Sequence, residues 1–195
     1  MNLPQFDPLL FDLPLLPHPQ RPHPSGVELR VQGHWLGQTL RLRYQLQGPG
    51  TEAIRWPATQ PPGPADGLWQ HTCFEAFVGS AALDAYQEFN FSPSGQWAHY
   101  HFAAERVRDP GAERATIGAV PVAVGGRTTP QHVWLDAAID TTHWPQHPEG
   151  WTLGLSAVLE TTQDVTSHWA LHHLQPQPDF HHPAARAWRL RRPSL

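Results

Sequence analysis

Apolar and polar residues alternate along much of this chain, and the alternation predicts β-strands rather than helices. Residues 69–102 contain three such stretches in succession. Because successive side chains of a strand point to opposite sides of a sheet, alternate residues share one face. The apolar faces predicted for the three strands are Phe74, Ala76 and Val78, then Phe89 and Phe91, then Ala98, Tyr100 and Phe102.

The opposite face of these three strands combines acidic, amide, imidazole and aromatic side chains. We interpret this face as a candidate ligand site. The alternative is a solvated outer surface, which antiparallel sheets often have. Its predicted members are Cys73, Glu75 and Phe77, then Tyr86, Glu88 and Asn90, then Trp97, His99 and His101.

The short connection at residues 79–84 predicts a β-hairpin. A symmetric register centred between Ala81 and Ala82 would place Glu75 directly opposite Glu88. Such a pair has Cβ atoms roughly 4.5–5.5 Å apart, where like charges destabilise a sheet. An arginine, a metal ion, a shared proton or a ligand would then be needed to offset the repulsion, which raises the pKa of one carboxyl. A bulge or a one-residue slip would instead move the two glutamates apart.

Further alternating stretches extend the β-pattern over most of the chain. No convincing long helix is present, although a short C-terminal helix over residues 183–190 is compatible with the sequence. The pattern predicts an all-β protein with two antiparallel sheets packed face to face. The additional strands are predicted at residues 27–32, 40–46, 132–139, 151–160 and 167–174.

Composition agrees with many short segments joined by turns. The chain has 195 residues, of which 22 are proline and 15 glycine. This length fits one domain with a full core. We predict a proline-rich N-terminal segment at residues 1–24 and a single β-sandwich domain at residues 25–195.

Net charge and cysteine content exclude several classes of partner. The formal net charge is −4 without a basic stripe, which argues against nucleic acid or an anionic membrane as the main partner. No run approaches the ~20 apolar residues of a membrane span. The prolines of residues 1–24 do not suit a signal peptide. Cys73 is the single cysteine, so no internal disulfide is available and we expect a cytoplasmic protein.

Four motifs resemble those of a bacterial DOMON-like family, which is related in fold to family 9 carbohydrate-binding modules. The resemblance covers about residues 27–182. It implies a β-sandwich of jelly-roll type with a ligand site on or beside one sheet, and relatives in this superfamily bind sugars or haem. The motifs are WQHTCFEAF at residues 69–77, YQEFNFSPSGQW at 86–97, HWALH at 168–172 and PDFH at 178–181.

A sugar ligand would need an aromatic platform together with carboxylates and amides for its hydroxyls. Resemblance to the family 9 modules implies a tryptophan sandwich, for which we predict Trp69 and Trp169, with Trp56 as the substitute for Trp69. The function predicted is a non-catalytic module for a small molecule such as a sugar, with no cofactor. The residues predicted to supply hydrogen bonds are Glu75, Glu88, Asn90 and His172.

The alternative function is an enzyme, either metal-dependent or of the glycoside-hydrolase type. His99 and His101 would lie on the same face of one strand and could chelate a metal ion with Glu88. Two carboxyls about 5–5.5 Å apart, here Glu75 and Glu88, would suit a retaining hydrolase. Haem is less favoured, because Met1 is the single methionine and both axial ligands would have to be histidines.

The C-terminal motif allows two interpretations. Residues 176–182 form a proline-restrained loop whose Asp179 and His181 could close over the open edge of the site. Alternatively, Asp179 caps the short helix that is predicted at residues 183–190. We favour the capping role for Asp179 and leave His181 unassigned.

Overall fold

The computed structural model describes residues 9–115, 122–129, 131–142, 144 and 150–191. One short α-helix, α1, spans Pro110–Ala115, and short 3-10 helices span Pro49–Ala53, Leu68–Gln70 and Pro183–Ala185. The strands are β1 (Leu9–Pro17), β2 (Glu28–Leu36), β3 (Thr39–Gln47), β4 (Gly63–Pro64), β5 (Cys73–Ser80), β6 (Leu83–Phe91), β7 (Gln96–Ala104), β8 (Val107–Arg108), β9 (Val122–Thr129), β10 (His132–Asp140), β11 (Trp151–Glu160), β12 (Thr166–Ala170) and β13 (Trp188–Leu190).

The strands form two sheets, which confirms the predicted all-β sandwich. The first sheet has the order β1-β2-β3-β10-β9, and the second has the order β4-β7-β6-β5-β11-β12. Strand β13 pairs with the part of β11 that β12 does not cover, and β8 pairs with β7. The described pairings are antiparallel except that between β4 and β7. None of the helices in the described ranges is long and apolar enough to span a bilayer.

One apolar core lies between the inner faces of the two sheets. The alternating residues Leu40, Leu42 and Leu46 of β3 are buried in it, as predicted. Phe74, Ala76 and Val78 of β5 enter the same core from the second sheet. Burial of each Leu or Phe side chain stabilises the fold by about 1.5–3 kcal/mol. The two sheets are therefore held together mainly by these inner faces.

The N-terminal strand corrects the predicted domain boundary at residue 24. Strand β1 lies within the segment that we predicted to precede the domain, yet it pairs with β2 from Leu9 to Leu15. Its last residues pair with β12, where Leu16 lies opposite Ala170, so β1 joins the two sheets. Phe11 and Leu15 are buried in the core. Two prolines did not prevent this strand: Pro14 lies where β1 is paired on one side only, with β2, and Pro17 lies at the strand end, positions at which proline is tolerated.

The C-terminal segment forms a strand where a helix was predicted. The helical part ends after the 3-10 turn Pro183–Ala185, and β13 then pairs with the first half of β11. The predicted capping role of Asp179 is wrong, because His182 Nδ1 accepts the N–H of Ala184 at 3.2 Å. Tertiary pairing overrides helix propensity here: β12 covers only the second half of β11, and β13 completes the remaining edge.

Candidate functional site

The β5–β6 hairpin contains an irregularity that sets the position of its two glutamates. At the turn Ser80 pairs with Leu83, which is the predicted symmetric register. A register shift follows immediately, and further along Glu75 pairs with Asn90 while Phe77 pairs with Glu88. The predicted direct opposition of Glu75 and Glu88 is therefore wrong, and the bulge that we considered as the alternative is present. The two glutamates remain on one face as diagonal neighbours.

Strand β7 has the opposite orientation from the one predicted. Glu88 pairs with Tyr100, so these two side chains share a face, while His99 pairs with Phe89. His99 stacks on Phe89 with ring centroids 4.3 Å apart, and burial lowers its pKa to about 3. The predicted metal site of His99 and His101 with Glu88 is wrong, since the histidines lie on the other side of the sheet. The described ranges contain no group of three His, Cys, Asp or Glu side chains placed to hold a metal ion.

The outer face of β5, β6 and β7 is covered rather than solvated. A second apolar cluster forms there, to which Leu68 and Phe180 contribute from two loops. The apolar residues predicted for β7 are thus buried, but against these loops instead of the main core. The strand residues of this outer cluster are Phe77, Tyr86, Ala98, Tyr100 and Phe102.

The loops leave a cavity of about 690 Å³ above the outer cluster. This volume lies within the ~300–1,000 Å³ usual for small-molecule sites. Side chains from six strands and three loops line it, so the site depends on most of the second sheet. The polar and charged lining residues are Asp66, Gln70, Glu75, Glu88, Tyr100, Arg106, Arg108, His168 and His181, and the aromatic ones besides Tyr100 are Trp69, Phe77, Phe102 and Phe180.

Glu75 and Glu88 provide the acidic part of the cavity. Glu75 is 2% exposed, and its Oε2 accepts the Ser156 hydroxyl at 2.9 Å. Glu88 is 5% exposed, and its Oε1 accepts Asn90 Nδ2 at 2.7 Å. Burial raises the pKa of both carboxyls, and the repulsion from Glu88 raises that of Glu75 further. The pair therefore retains a proton near neutral pH, so one carboxyl can donate a hydrogen bond while the other accepts.

A hydrogen-bond chain orients His181 toward Glu88. The hydroxyl oxygen of Tyr86 accepts the backbone N–H of Arg106 at 3.1 Å, so its own proton is available to His181 Nδ1 at 2.7 Å. In this tautomer Nε2 carries the hydrogen and faces Glu88 Oε2 at 3.8 Å. Burial lowers the pKa of His181 to about 4, with a further contribution from Arg106. His181 is consequently a neutral donor at physiological pH.

Ion pairs fasten the loops over the cavity. Arg106 Nη2 contacts Asp179 Oδ1 at 2.8 Å and ties the turn after β7 to the C-terminal loop. Arg108 forms a two-point ion pair with Glu113, and its guanidinium carbon lies 4.1 Å from the centre of the Tyr100 ring. Residues 176–182 therefore close over the site, which was the alternative to the helix-capping role predicted for Asp179.

The two predicted tryptophans of the sandwich lie in different environments. Trp69 is 51% exposed and lines the cavity from the 3-10 helix Leu68–Gln70. Trp169 is 2% exposed within the main core, and its Nε1 donates to Ser167 Oγ at 3.0 Å. The prediction that Trp169 stacks on a ligand is wrong, because strand alternation turns Trp169 inward. Its neighbour His168 lines the cavity instead.

The remaining predicted residues do not line the cavity directly. Asn90 is fully buried beneath Glu88 and positions that carboxyl. Trp56, the substitute platform, packs against the main core and stacks on Phe74 with ring centroids 6.4 Å apart. His172 is exposed outside the cavity lining. Of the predicted set, the structure brings together Trp69, Glu75 and Glu88 at the cavity, with Asn90 in support.

Sequence reasoning missed several residues of the site. Arg106 lies in the turn after β7 with a left-handed φ of 58°, and Arg108 lies in the two-residue strand β8; neither segment shows a periodic pattern. Tyr100 and His168 were detectable in principle. Each stands one position from a residue that we placed in the site, and reversing the assigned face of its strand would have selected it.

The fold is similar to two solved structures of proteins assigned to carbohydrate binding. A candidate carbohydrate-binding protein from Bacteroides uniformis ATCC 8492 gives a TM-score of 0.61 at 18% sequence identity, over 89% of this chain and 83% of that one. A family 9 carbohydrate-binding module from Caldicellulosiruptor kristjanssonii, solved in complex with cellotriose, gives 0.52 at 8% identity, over 88% and 75%. No protein-family model and no curated protein matches the sequence. The chain thus has a β-sandwich fold of the kind found in family 9 modules.

Proposed function

We propose that this protein is a non-catalytic sugar-binding module and that the cavity on the outer face of its second sheet is the binding site. The observation that carries this proposal is the buried pair Glu75 and Glu88 in a cavity of about 690 Å³ with the exposed indole of Trp69 beside it. The carbohydrate-binding assignments of the two structural neighbours support the same class of ligand.

The chemistry of the cavity suits a pyranose ring. Trp69 offers an exposed aromatic surface for the apolar face of the ring. Sugar hydroxyls both donate and accept, and a carboxyl pair that shares one proton does the same. The hydrogen on His181 Nε2 adds a further donor close to Glu88. Aromatic and polar groups therefore converge on one space, as sugar recognition requires.

We also propose that the chain belongs with the DOMON-like proteins, on the order of its four motifs, and that its ligand is a sugar rather than haem. Among the described residues, the histidines that line the cavity are His168 and His181. His181 is already engaged through Nδ1 with Tyr86 and faces Glu88 with Nε2. Bis-histidine ligation of iron would have to break this arrangement, which disfavours haem.

The test is isothermal titration of the full chain with a panel of neutral mono- and disaccharides. We expect saturable binding to at least one sugar, a loss of tenfold or more in affinity for Trp69→Ala and a smaller loss for Glu75→Gln. Trp134→Ala is the matched control, because Trp134 lies on the outer face of the first sheet beneath Arg43, away from the cavity.

Two results would contradict the proposal. One is the absence of saturable binding to any sugar in the panel; the other is equal affinity in wild type and Trp69→Ala. Hydrolysis of an aryl glycoside that disappears in Glu75→Gln would favour the glycoside-hydrolase alternative instead.

A further inference from the structure

We propose that the sugar bound in this cavity carries a free amino group and that its ammonium lies between Glu75 and Glu88. This inference rests on the proposed function, since it names the class of sugar for the same site. It follows from the negative charge of the two buried carboxyls, which a neutral ligand would leave uncompensated.

Two carboxyls are buried side by side without a cation. In the described part of the chain, no cationic side chain lies within 4.0 Å of either carboxyl; the basic side chain within that distance of Glu88 is His181, which lies 3.8 Å away and is neutral. Buried acidic groups in proteins are normally paired with a cation or held neutral. Here each is held by one neutral donor, Ser156 or Asn90.

The arginines of the cavity have carboxylate partners of their own. Arg106 pairs with Asp179, and Arg108 pairs with Glu113. Both lower the pKa of Glu88 through space, but neither forms an ion pair with it. Asp66, which accepts the Tyr100 hydroxyl at 2.8 Å, adds a third carboxylate to the lining. The charged side chains that face Glu75 and Glu88 from the neighbouring elements therefore do not neutralise the pair, and a cation can bind there.

One oxygen of each glutamate remains available to a ligand. Ser156 occupies Oε2 of Glu75, and Asn90 occupies Oε1 of Glu88. As diagonal neighbours on adjacent strands, the two residues have backbones roughly 7–8 Å apart, close enough for both carboxyls to reach one nitrogen. An ammonium has three N–H donors and no acceptor, which matches this acceptor-rich position. The nearby aromatic rings favour a cation as well.

The expected signature is a preference for the charged sugar together with proton release. A charged hydrogen bond typically contributes about 1.5–3 kcal/mol, which corresponds to roughly a 10- to 150-fold gain in affinity. Because the ammonium favours the ionised form of both carboxyls, binding displaces the proton that the pair retains. A neutral sugar has no such effect.

The experiment compares matched ligands by titration calorimetry at pH 7. Glucosamine, galactosamine and mannosamine are each measured beside their N-acetyl derivative and parent hexose, in two buffers of different ionisation enthalpy. We expect one hexosamine to bind at least tenfold more tightly than its two uncharged counterparts and to release a proton. Glu75→Gln and Glu88→Gln should reduce the preference to threefold or less, whereas the exposed-carboxyl control Glu28→Gln should keep it.

The possible failures are distinguishable. Equal affinities for hexosamine and hexose, both abolished by Trp69→Ala, would overturn the amino-sugar inference and leave the sugar-binding function in place. No binding of any of the nine compounds or of the neutral panel would overturn both. Binding of ethanolamine as tightly as the best hexosamine would show a simple amine site and overturn the sugar assignment. If one glutamine variant fails to fold, the other still reports the preference.

Discussion

The outer faces of the two sheets follow the same alternation in sequence and have opposite environments. On the first sheet Arg43 and Asp136 form an ion pair at 2.6 Å with both side chains more than one third exposed. On the second sheet Phe77 and Glu75 are each 2% exposed beneath the loops. Alternation therefore predicts that a face is polar or mixed, while the loops decide whether that face is a solvated surface or a cavity.

The difference changes what a carboxyl does on each face. Asp136 lies in a high-dielectric surface environment beside its arginine, where an ion pair contributes little and costs little. Glu75 lies where burial opposes ionisation and Glu88 adds repulsion. A carboxyl pair that destabilises the fold at such a position is typical of a functional site.

The largest expected difference between the two faces is in packing. Phe77→Ala removes a buried ring from the outer cluster, so we expect a loss of about 3–5 kcal/mol in the free energy of unfolding. Trp134→Ala, on the outer face of the first sheet, should cost about 1 kcal/mol or less. Urea denaturation of both variants measures the contrast. Similar losses would show that the outer cluster is no true second core.

A smaller difference is expected in the response to pH. Raised pKa values mean that the folded state binds more protons than the unfolded state, so stability falls as pH rises from about 4.5 through the folded pKa values of Glu75 and Glu88. The buried histidines have lowered pKa values and act in the opposite sense below about pH 6.5. Between pH 7 and 8 we therefore expect the wild type to lose about 1 kcal/mol.

The double variant Glu75→Gln/Glu88→Gln isolates this contribution. Its unfolding free energy should be nearly flat between pH 7 and 8, while Asp136→Asn should retain the wild-type slope. Urea denaturation at closely spaced pH values provides the measurement. An unchanged slope in the double variant would assign the effect to other groups.

The smallest expected effects concern the ion pairs on the two faces. Asp179→Asn weakens the contact between Arg106 and the C-terminal loop, so we expect a several-fold loss of sugar affinity with about 1 kcal/mol or less in stability. Asp136→Asn should change stability by less than about 0.5 kcal/mol and leave affinity unaltered. Calorimetric titrations of the two variants with the sugar measure the difference. Equal sugar affinity in Asp179→Asn and Asp136→Asn would show that the C-terminal loop does not contribute to binding.

The sequence predicted the sandwich and much of the site, for identifiable reasons. Long alternating stretches such as β3 and β5 specify which residues face the core. Alternation therefore placed Glu75 and Glu88 on one face, and the resemblance to family 9 modules added Trp69 to the same site. Alternation cannot say which face of β7 meets the core, because Tyr100 and Phe102 are apolar enough to pack on either side. The face was decided by the register with β6, in which Tyr100 lies opposite Glu88.

The loop residues escaped prediction because long-range contacts position them. Arg106 and Asp179 stand 73 positions apart in the sequence and are brought together only by the tertiary fold. Trp169 was misplaced for a related reason: the resemblance named its type of residue, whereas the alternation of β12 assigns it to the core and His168 to the cavity. A motif can thus identify the correct strand and still select the wrong one of two adjacent residues as the ligand contact.

Strand β1, which joins the two sheets, also determines when the sandwich can close during synthesis. During synthesis β1 emerges early, whereas its partner β12 follows only after nearly all of the sandwich has been made, since Leu16 pairs with Ala170. At translation rates of ~5–20 residues per second, that interval is on the order of ten seconds or more. Throughout it one edge of β1 lacks its final partner, so the sandwich cannot close before β12 has been synthesised.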